Sequence, residues 1–417
     1  MNNTIKLAVA AALLAGASSA NAGIMIPAGD WTLDIGGVVN AYYTQTHTSG
    51  SLSTAANAVG GYGQAFNTKN DTGTSNSANI TTGLLPNYLS VSGKTRQNDL
   101  DVAFTISINP GASTTKAGKQ DSQQENRQAF LTFGDASWGS IKLGKDLGIY
   151  ASDAILNDMT LLGVGSGAGG LAGNTTTTGR IGTGYMYADW KSQIAYSSPN
   201  WNGFSFTAGV TQAFNANNTL AGATSTGRGS STPAFEGKAA YAFSDVAGSG
   251  VAGKVWVSGI TQKVEGLTTG VVGVTRNDRA ESFDIGANVN VSGFGLTGYY
   301  YTGSGIGQTV QINGGFDAAG QQRDSDGGYV QATYTIPGVG TKLGASWGTS
   351  NIDGTGATDS FSSVSDEMWT IGAYHPLTKH LNLVAEYSDV KHEVEIAGAG
   401  TSEAKGRTVS LGAILFF

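Results

Sequence analysis

Short runs of alternating apolar and polar residues recur along the chain, with the two-residue period of a β-strand. The run at 99–108 is representative, with Leu100, Val102, Phe104, Ile106 and Ile108 on one face and Asp101, Ala103, Thr105 and Ser107 on the other. One face of each run is apolar and the other mostly small or polar. Such runs predict strands that separate an apolar environment from a polar one.

The connections between the runs alternate in length. About sixteen runs form pairs with short turns inside each pair and polar loops of about 12 to 40 residues between pairs, as in bacterial outer-membrane barrels. A soluble β-sandwich, the alternative, spreads its loop lengths more evenly over both ends. We therefore predict an all-β fold, a transmembrane antiparallel up-and-down β-barrel of about 16 strands, with its short turns on the periplasmic side.

The last run, GRTVSLGAILFF, is unusually apolar for a chain terminus. One of its faces carries Val409, Leu411, Ala413, Leu415 and Phe417. Such a strand with an unpaired edge would promote aggregation. In a barrel with an even number of strands the first and last strands are antiparallel neighbours. We predict that this strand closes the barrel against the strand that begins near Trp31.

The first residues have the pattern of a secretory signal peptide. Lys6 precedes an apolar segment from Leu7 to about Ala15, and an Ala-x-Ala site ends at Ala22. We expect cleavage after Ala22, which leaves one domain, 23–417, in an exported protein. The alternative is a buried N-terminal helix.

Composition agrees with a wall between lipid and water. Charged residues make up 13% of the chain, against roughly 25% in ordinary soluble domains. Beyond the signal segment no stretch approaches the roughly 20 apolar residues of a membrane helix. A formal net charge of −7 argues against a nucleic-acid partner.

Aromatic residues are placed where a membrane interface would hold them. Trp138 and Trp201 fall in two predicted short turns, and Tyr42, Tyr43 and Tyr299–Tyr301 lie near the loop ends of predicted strands. Amphipathic rings favour membrane–water interfaces. We therefore predict that these rings form interfacial girdles, with core packing as the alternative.

No motif indicates catalysis. The chain has no Cys, no nucleophile elbow and no His pair with metal-ligand spacing. Residues 353–359, DGTGATD, could offer carboxylates to Ca²⁺, although a plain turn is the better interpretation. We predict neither an enzyme nor a cofactor. An outer-membrane barrel enzyme, an adhesin and a barrel with a plugged lumen remain as alternatives.

The segment NRQAFLTFGDASWGSIKLGKDLGIYASDAILNDM resembles the general diffusion porins of Gram-negative bacteria, and so does GRIGTGYMYADWKSQIAYSSPNWNGFSF. This resemblance implies a homotrimer of 16-stranded barrels in the outer membrane. Each barrel would be a water-filled channel for passive diffusion of ions and small hydrophilic solutes. A substrate-specific channel is the alternative. The resemblance also implies contact with outer-membrane lipids and a terminal aromatic, Phe417, that the barrel assembly machinery recognises.

In that family an inward-folded third loop narrows the channel, with loop acids opposite basic residues of the wall. By position, the resemblance assigns Lys145 and Arg180 to the wall and Asp158 to the loop. The sequence departs from the pattern twice: the second loop acid falls in LLGVGSGAGG, which has no carboxylate, and Tyr88 stands at an early wall arginine.

The residues of this loop support a constriction independently. YASDAILNDMTLL tolerates a helix with Ser152 or Asp153 as N-cap, and the Gly-rich run 163–173 could lie close to a wall. Lys142 alternates with apolar neighbours and should face the lumen. The predicted constriction set is therefore Asp153, Asp158, Lys142, Lys145 and Arg180.

These charges nearly cancel, so we expect only weak ion selectivity. Neutralising Asp158 should favour anions and neutralising Lys145 should favour cations. The preferred solute does not follow from the sequence.

Overall fold

The computed structural model describes residues 23–50, 52–53, 56, 59, 75–113, 124–166, 176–217, 220, 225–226, 230–244, 249–269, 271, 273–356 and 358–417. The predicted signal segment, 1–22, lies outside them. No helix in these ranges is long and apolar enough to cross a bilayer.

Strands make up most of the described chain. They are β1 (Ile24–Ala28), β2 (Trp31–Gly50), β3 (Asn76–Thr81), β4 (Tyr88–Gln97), β5 (Leu100–Pro110), β6 (Gln124–Glu125), β7 (Ala129–Asp135), β8 (Gly139–Leu147), β9 (Trp190–Ser197), β10 (Phe204–Thr211), β11 (Ala234–Phe243), β12 (Ala252–Thr268), β13 (Thr275–Val291), β14 (Phe294–Ser304), β15 (Asp324–Thr335), β16 (Lys342–Asp353), β17 (Phe361–Pro376), β18 (Leu381–Ile396) and β19 (Gly400–Phe416). The described residues between β8 and β9 include an α-helix, α1 (Ser152–Asn157), and a 3₁₀ turn (Met159–Leu162).

Sixteen of these strands form a closed antiparallel ring. Successive ring strands pair along the chain, and β19 then pairs with β2 from Phe416↔Val38 to Ala404↔Gly50. The short strands β1, β3 and β6 add to the edges or ends of ring strands. Both the predicted barrel and its predicted strand number are confirmed.

The closing pair ends at Phe417. The Gly37 amide donates to the Phe417 carbonyl over 2.7 Å, and the Phe417 amide donates to the Gly37 carbonyl over 3.0 Å. A Cβ on Gly37 would lie 2.7 Å from the Phe417 ring, so this position needs glycine. Below this point β1 pairs with Trp31–Ile35 of β2. The predicted closure is therefore present, and the contact along β2 runs from Gly37 to Gly50.

The predicted rhythm of loop lengths holds only in part. Three connections on the loop side are short, 269–274, 354–360 and 397–399. The strands around them are long, with 17 residues in both β12 and β13 and 16 in both β17 and β18. Residues assigned to loops from their polar composition instead extend the wall, because ladder pairing satisfies their backbone groups.

Alternation places apolar residues outward and divides the predicted aromatic girdle. Trp138, Trp201, Tyr43 and Tyr300 are 38–50% exposed, whereas the neighbouring Tyr42, Tyr299 and Tyr301 are buried inside the barrel. The interfacial role predicted for those three is therefore wrong. Adjacent strand residues face opposite sides, so one of every two consecutive tyrosines must point inward.

Deleting Phe417 should lower the yield of folded barrel, because it removes both hydrogen bonds to Gly37, each worth about 0.5–1.5 kcal/mol. The yield can be measured as the fraction of unheated protein that migrates as a compact band on a denaturing gel. Phe417→Leu is the control: it keeps both backbone hydrogen bonds to Gly37 and removes the aromatic ring. It therefore separates the effect of barrel closure from that of recognition of the ring by the assembly machinery. An unchanged yield after the deletion would contradict a role for Phe417 in assembly.

Candidate pore constriction

The segment between β8 and β9, residues 148–189, is here named L3, and its described parts, 148–166 and 176–189, lie inside the barrel along its wall. Its helix α1 follows Ala151, whose φ of 61° reverses the chain. Ser152 donates to the Ile149 carbonyl and so does not cap the helix. Asp153 does not cap α1 either. The acid that caps an element of L3 is Asp158, which accepts from the Thr160 amide over 2.9 Å at the start of the 3₁₀ turn.

The beginning of L3 is held by a buried carboxylate of the wall. Glu236 on β11 accepts the consecutive amides of Ile149 and Tyr150 on Oε2, at 2.8 and 2.9 Å. Its Oε1 accepts from Lys191 Nζ at 2.6 Å and from Thr211 Oγ1 at 2.7 Å. These contacts satisfy loop amides that have no strand partner.

A second carboxylate holds L3 on the opposite wall. Glu386 on β18 accepts the consecutive amides of Val164 and Gly165 on Oε2, at 2.7 and 2.9 Å, and the Tyr374 hydroxyl on Oε1 at 2.6 Å. A Cβ on Gly163 would lie 2.1 Å from Glu386 Oε1, so only glycine allows this approach. The close approach predicted for the Gly-rich run is seen at Gly163–Gly165, while residues 167–175 lie outside the described ranges.

The returning part of L3 contains Arg180, which is fully buried. Its guanidinium donates to the Met368 carbonyl at 2.8 Å and to the Ser346 hydroxyl, both on the wall. Burial lowers the pKa of Arg180, and the Asp158 carboxylate opposes that shift. Arg180 therefore belongs to L3 and attaches it to the wall, whereas the family resemblance implies a wall residue that faces the loop.

Asp158 is enclosed beside Arg180. It accepts from the Tyr185 hydroxyl at 2.9 Å and from both polar groups of Thr160, and it is 4% exposed. This arrangement gives Asp158 a structural role within L3, and the expected effect of its neutralisation on selectivity stays a prediction.

Aromatic side chains of the wall lie beneath L3. Tyr329 donates to the Ala154 carbonyl at 2.8 Å, and the Tyr150 hydroxyl lies 2.6 Å from Ser282 Oγ. One buried cluster joins Tyr150 and Tyr185 of L3 to four aromatic residues of the wall, Trp256, Tyr299, Tyr301 and Tyr329. These rings pack the loop against the wall, so the lumen does not present them as a binding ladder.

Asp153 meets two wall lysines that the sequence analysis did not identify. Its carboxylate pairs with Lys238 on β11 at 3.3 Å and with Lys254 on β12. Burial alone would raise the pKa of Asp153, but the two ammonium groups together lower it below its usual value. Asp153 therefore remains ionised at neutral pH, and the cluster carries one negative and two positive charges.

The two remaining predicted lysines lie on opposite faces of β8. Lys142 faces the lumen, as predicted. It pairs with Asp146, which lies four residues further along β8 on the same face. Lys145 aligns with the outward residues Ala129 and Ser192 and donates to the Asn126 carbonyl. The lumen position expected for Lys145 is wrong, because it shares the face of Leu143 in a period-two strand.

The sequence contained a signal for the missed lysines. Lys238 and Lys254 lie in predicted strands, opposite Thr207 on β10 and Asn288 on β13 respectively. Their alternation with apolar outward residues indicates that both face the lumen. Tyr88 likewise faces inward and packs against the buried cluster of Met159 and Val164.

The barrel and its inward loop define an outer-membrane channel protein. The sequence model of the Gram-negative porin family matches residues 8–393, so the chain belongs to that family. It forms a channel for passive diffusion across the outer membrane. No group of three or more potential metal ligands occurs within the described ranges.

Solved structures resemble the barrel at low sequence identity. The outer membrane channel DcaP of Acinetobacter baumannii superposes with a TM-score of 0.62 at 14% identity, over 93% of this chain and 98% of that one. An anion-selective porin from Comamonas acidovorans gives 0.59 at 14%, over 93% and 100%. The trimer form of OmpT from Vibrio cholerae gives 0.52 at 14%, over 93% and 99%. A comparison with curated protein sequences finds no match.

Glu386→Gln should loosen L3, because an amide oxygen replaces the carboxylate that accepts two backbone amides and a phenol. We expect the barrel to lose about 1–3 kcal/mol of stability, the cost of imperfectly paired buried groups. The midpoint of the heat-induced gel shift measures this loss. Glu395→Gln, at an exposed position of the same strand, is the control, and equal midpoints for both variants would contradict the anchoring role.

Proposed function

We propose that this porin is a non-enzymatic general diffusion channel with a weak preference for anions. Its constriction would lie between L3 and the wall that carries Lys142, Lys238 and Lys254. This proposal retains the weak selectivity expected from the sequence and gives it a sign. It keeps Lys142 and Asp153 of the predicted set and adds Lys238 and Lys254.

The observation that carries the proposal is the unequal exposure of paired charges. The side chains of Lys142, Lys238 and Lys254 are 26%, 18% and 33% exposed, whereas their partners Asp146 and Asp153 are 10% and 4% exposed. The lysine side chains are therefore more open to the lumen than the carboxylates with which they pair. Because the Debye length is about 8 Å at physiological salt, these local charges affect a passing ion more than the net charge of −7 does.

The covered aromatic cluster supports a general channel over a substrate-specific one. Stacking of sugars or other ring solutes needs accessible aromatic faces, and Trp256, Tyr299, Tyr301 and Tyr329 are at most 6% exposed beneath L3. Small polar wall residues and a few lysines then face the solute. Such a surface suits hydrated ions and small hydrophilic molecules.

Lys254→Ala should move the zero-current potential toward the cation equilibrium potential. Measured in a planar bilayer under a tenfold KCl gradient, the shift should be several millivolts of the roughly 59 mV that ideal selectivity gives. Asp153→Asn should move the potential in the opposite direction, because it leaves two lysines without their acid.

Lys145→Ala is the matched control, because Lys145 lies on the outer face. Its zero-current potential should equal that of the unmodified channel. A shift with Lys145→Ala comparable to that with Lys254→Ala, or no shift with either Lys254→Ala or Asp153→Asn, would remove the cluster from the constriction.

We further propose a homotrimer in the outer membrane, with residues 1–22 removed on export and the barrel inserted by the assembly machinery. Family membership and the trimeric form of a structurally similar porin support this assembly. Chemical cross-linking in mild detergent should give dimer and trimer bands before boiling and monomer after it. Monomer bands alone under both conditions would refute the trimer.

A further inference from the structure

The loop between β14 and β15, residues 305–323 and here named L6, also enters the barrel. Ile306 and Ile312 are fully buried and Phe316 is 1% exposed. They share a buried cluster with Tyr185 and Tyr187 of L3. L6 therefore packs directly on the returning part of L3.

Backbone contacts align the two loops. The Tyr187 amide donates to the Thr309 carbonyl at 2.9 Å, and Tyr187 forms a parallel β-bridge with Val310. On its other side L6 contacts the loop between β10 and β11. The amide of Gly314 in L6 donates to the carbonyl of Asn217 in that loop at 2.8 Å. L6 thus lies between L3 and another loop at the mouth of the barrel.

Gln311 makes the polar connection between L6 and the end of L3. Its Nε2 donates to the carbonyls of Tyr187 and Ala188, both at 3.1 Å, and its Oε1 accepts from Lys191 Nζ at 2.6 Å. Gln311 is 4% exposed, so these bonds are shielded from water.

Lys191 extends this connection to the beginning of L3. The same ammonium group donates to Glu236 Oε1, and Glu236 Oε2 accepts the amides of Ile149 and Tyr150. Both side chains of the Lys191–Glu236 pair are 0% exposed. A continuous buried network therefore joins L6 to both ends of L3.

We propose that L6 is a second pore-shaping loop, which fixes L3 through Gln311 and the Lys191–Glu236 ion pair. Buried hydrogen-bonded pairs hold their geometry because any alternative leaves a polar group unpaired in a low-dielectric interior. Gln311 is thus a positioning residue: it acts on permeation through L3 and need not touch the solute. The inference rests on the proposed constriction by L3.

Single-channel recording of the folded porin in a planar bilayer tests this proposal. Gln311→Met nearly preserves side-chain volume and removes every polar contact between residue 311 and L3. We expect a severalfold increase in open-channel current noise and in transitions to partly closed levels. Gln311→Asn, one methylene shorter, should have the same effect in a smaller degree.

Gln321→Met is the matched control, since Gln321 is an exposed residue of the same loop. Its channels should be as quiet as those of the unmodified protein. A merely structural role for Gln311 would lower the heat-shift midpoint without added noise, and quiet Gln311 variants would overturn the proposal. Failure of both Gln311 variants to fold, while Gln321→Met folds, would assign Gln311 to barrel assembly and overturn it as well.

The two proposals can fail separately. Quiet Gln311 variants combined with a shifted zero-current potential in Lys254→Ala would leave the constriction intact and refute only the role of L6. Noisy Gln311 variants with no shift in Lys254→Ala would retain the coupling of L6 to L3 and refute the assigned selectivity cluster.

Discussion

The structure depends on one constraint: within a bilayer every backbone amide and carbonyl needs a partner inside the protein. A ring of strands meets that requirement only when its last strand pairs with its first, as β19 does with β2. Closure creates an interior whose surface is polar on alternate residues. Whatever enters that interior must in turn satisfy its own backbone groups.

The loops inside the barrel meet the same requirement by a different route. L3 lacks a ladder partner at its beginning and near its Gly-rich segment, and at each place a wall glutamate accepts two consecutive amides. A buried carboxylate is costly unless it is paired and hydrogen-bonded. Lys191 pairs with one of these glutamates and the Tyr374 hydroxyl donates to the other. Anchoring and charge compensation are therefore solved by the same groups.

Burial then determines which charges a solute meets. Asp158 is occupied by hydrogen bonds within L3, and Asp153 is covered by its two lysines. The two acids and three bases of the predicted constriction set nearly balance, whereas in the cluster that the structure forms, the side chains of Lys238 and Lys254 are more exposed than that of Asp153.

The amino-acid sequence by itself determined the strands, their pairing in hairpins and the closed barrel, because a two-residue period and short turns are local properties. The alternation of residues in β8 also indicates that Lys142 faces the lumen and that Lys145 faces outward. For Lys145 the position carried over from a family resemblance was wrong, although its alternation with Leu143 was sufficient. Only the tertiary structure decided that Asp153 meets Lys254, 101 residues away, and that Glu386 holds Val164, 222 residues away. Those contacts depend on the path of L3 inside the barrel. The path is set by the buried acceptors on the wall that pair with the amides of L3. These acceptors come together only when the ring of strands has closed.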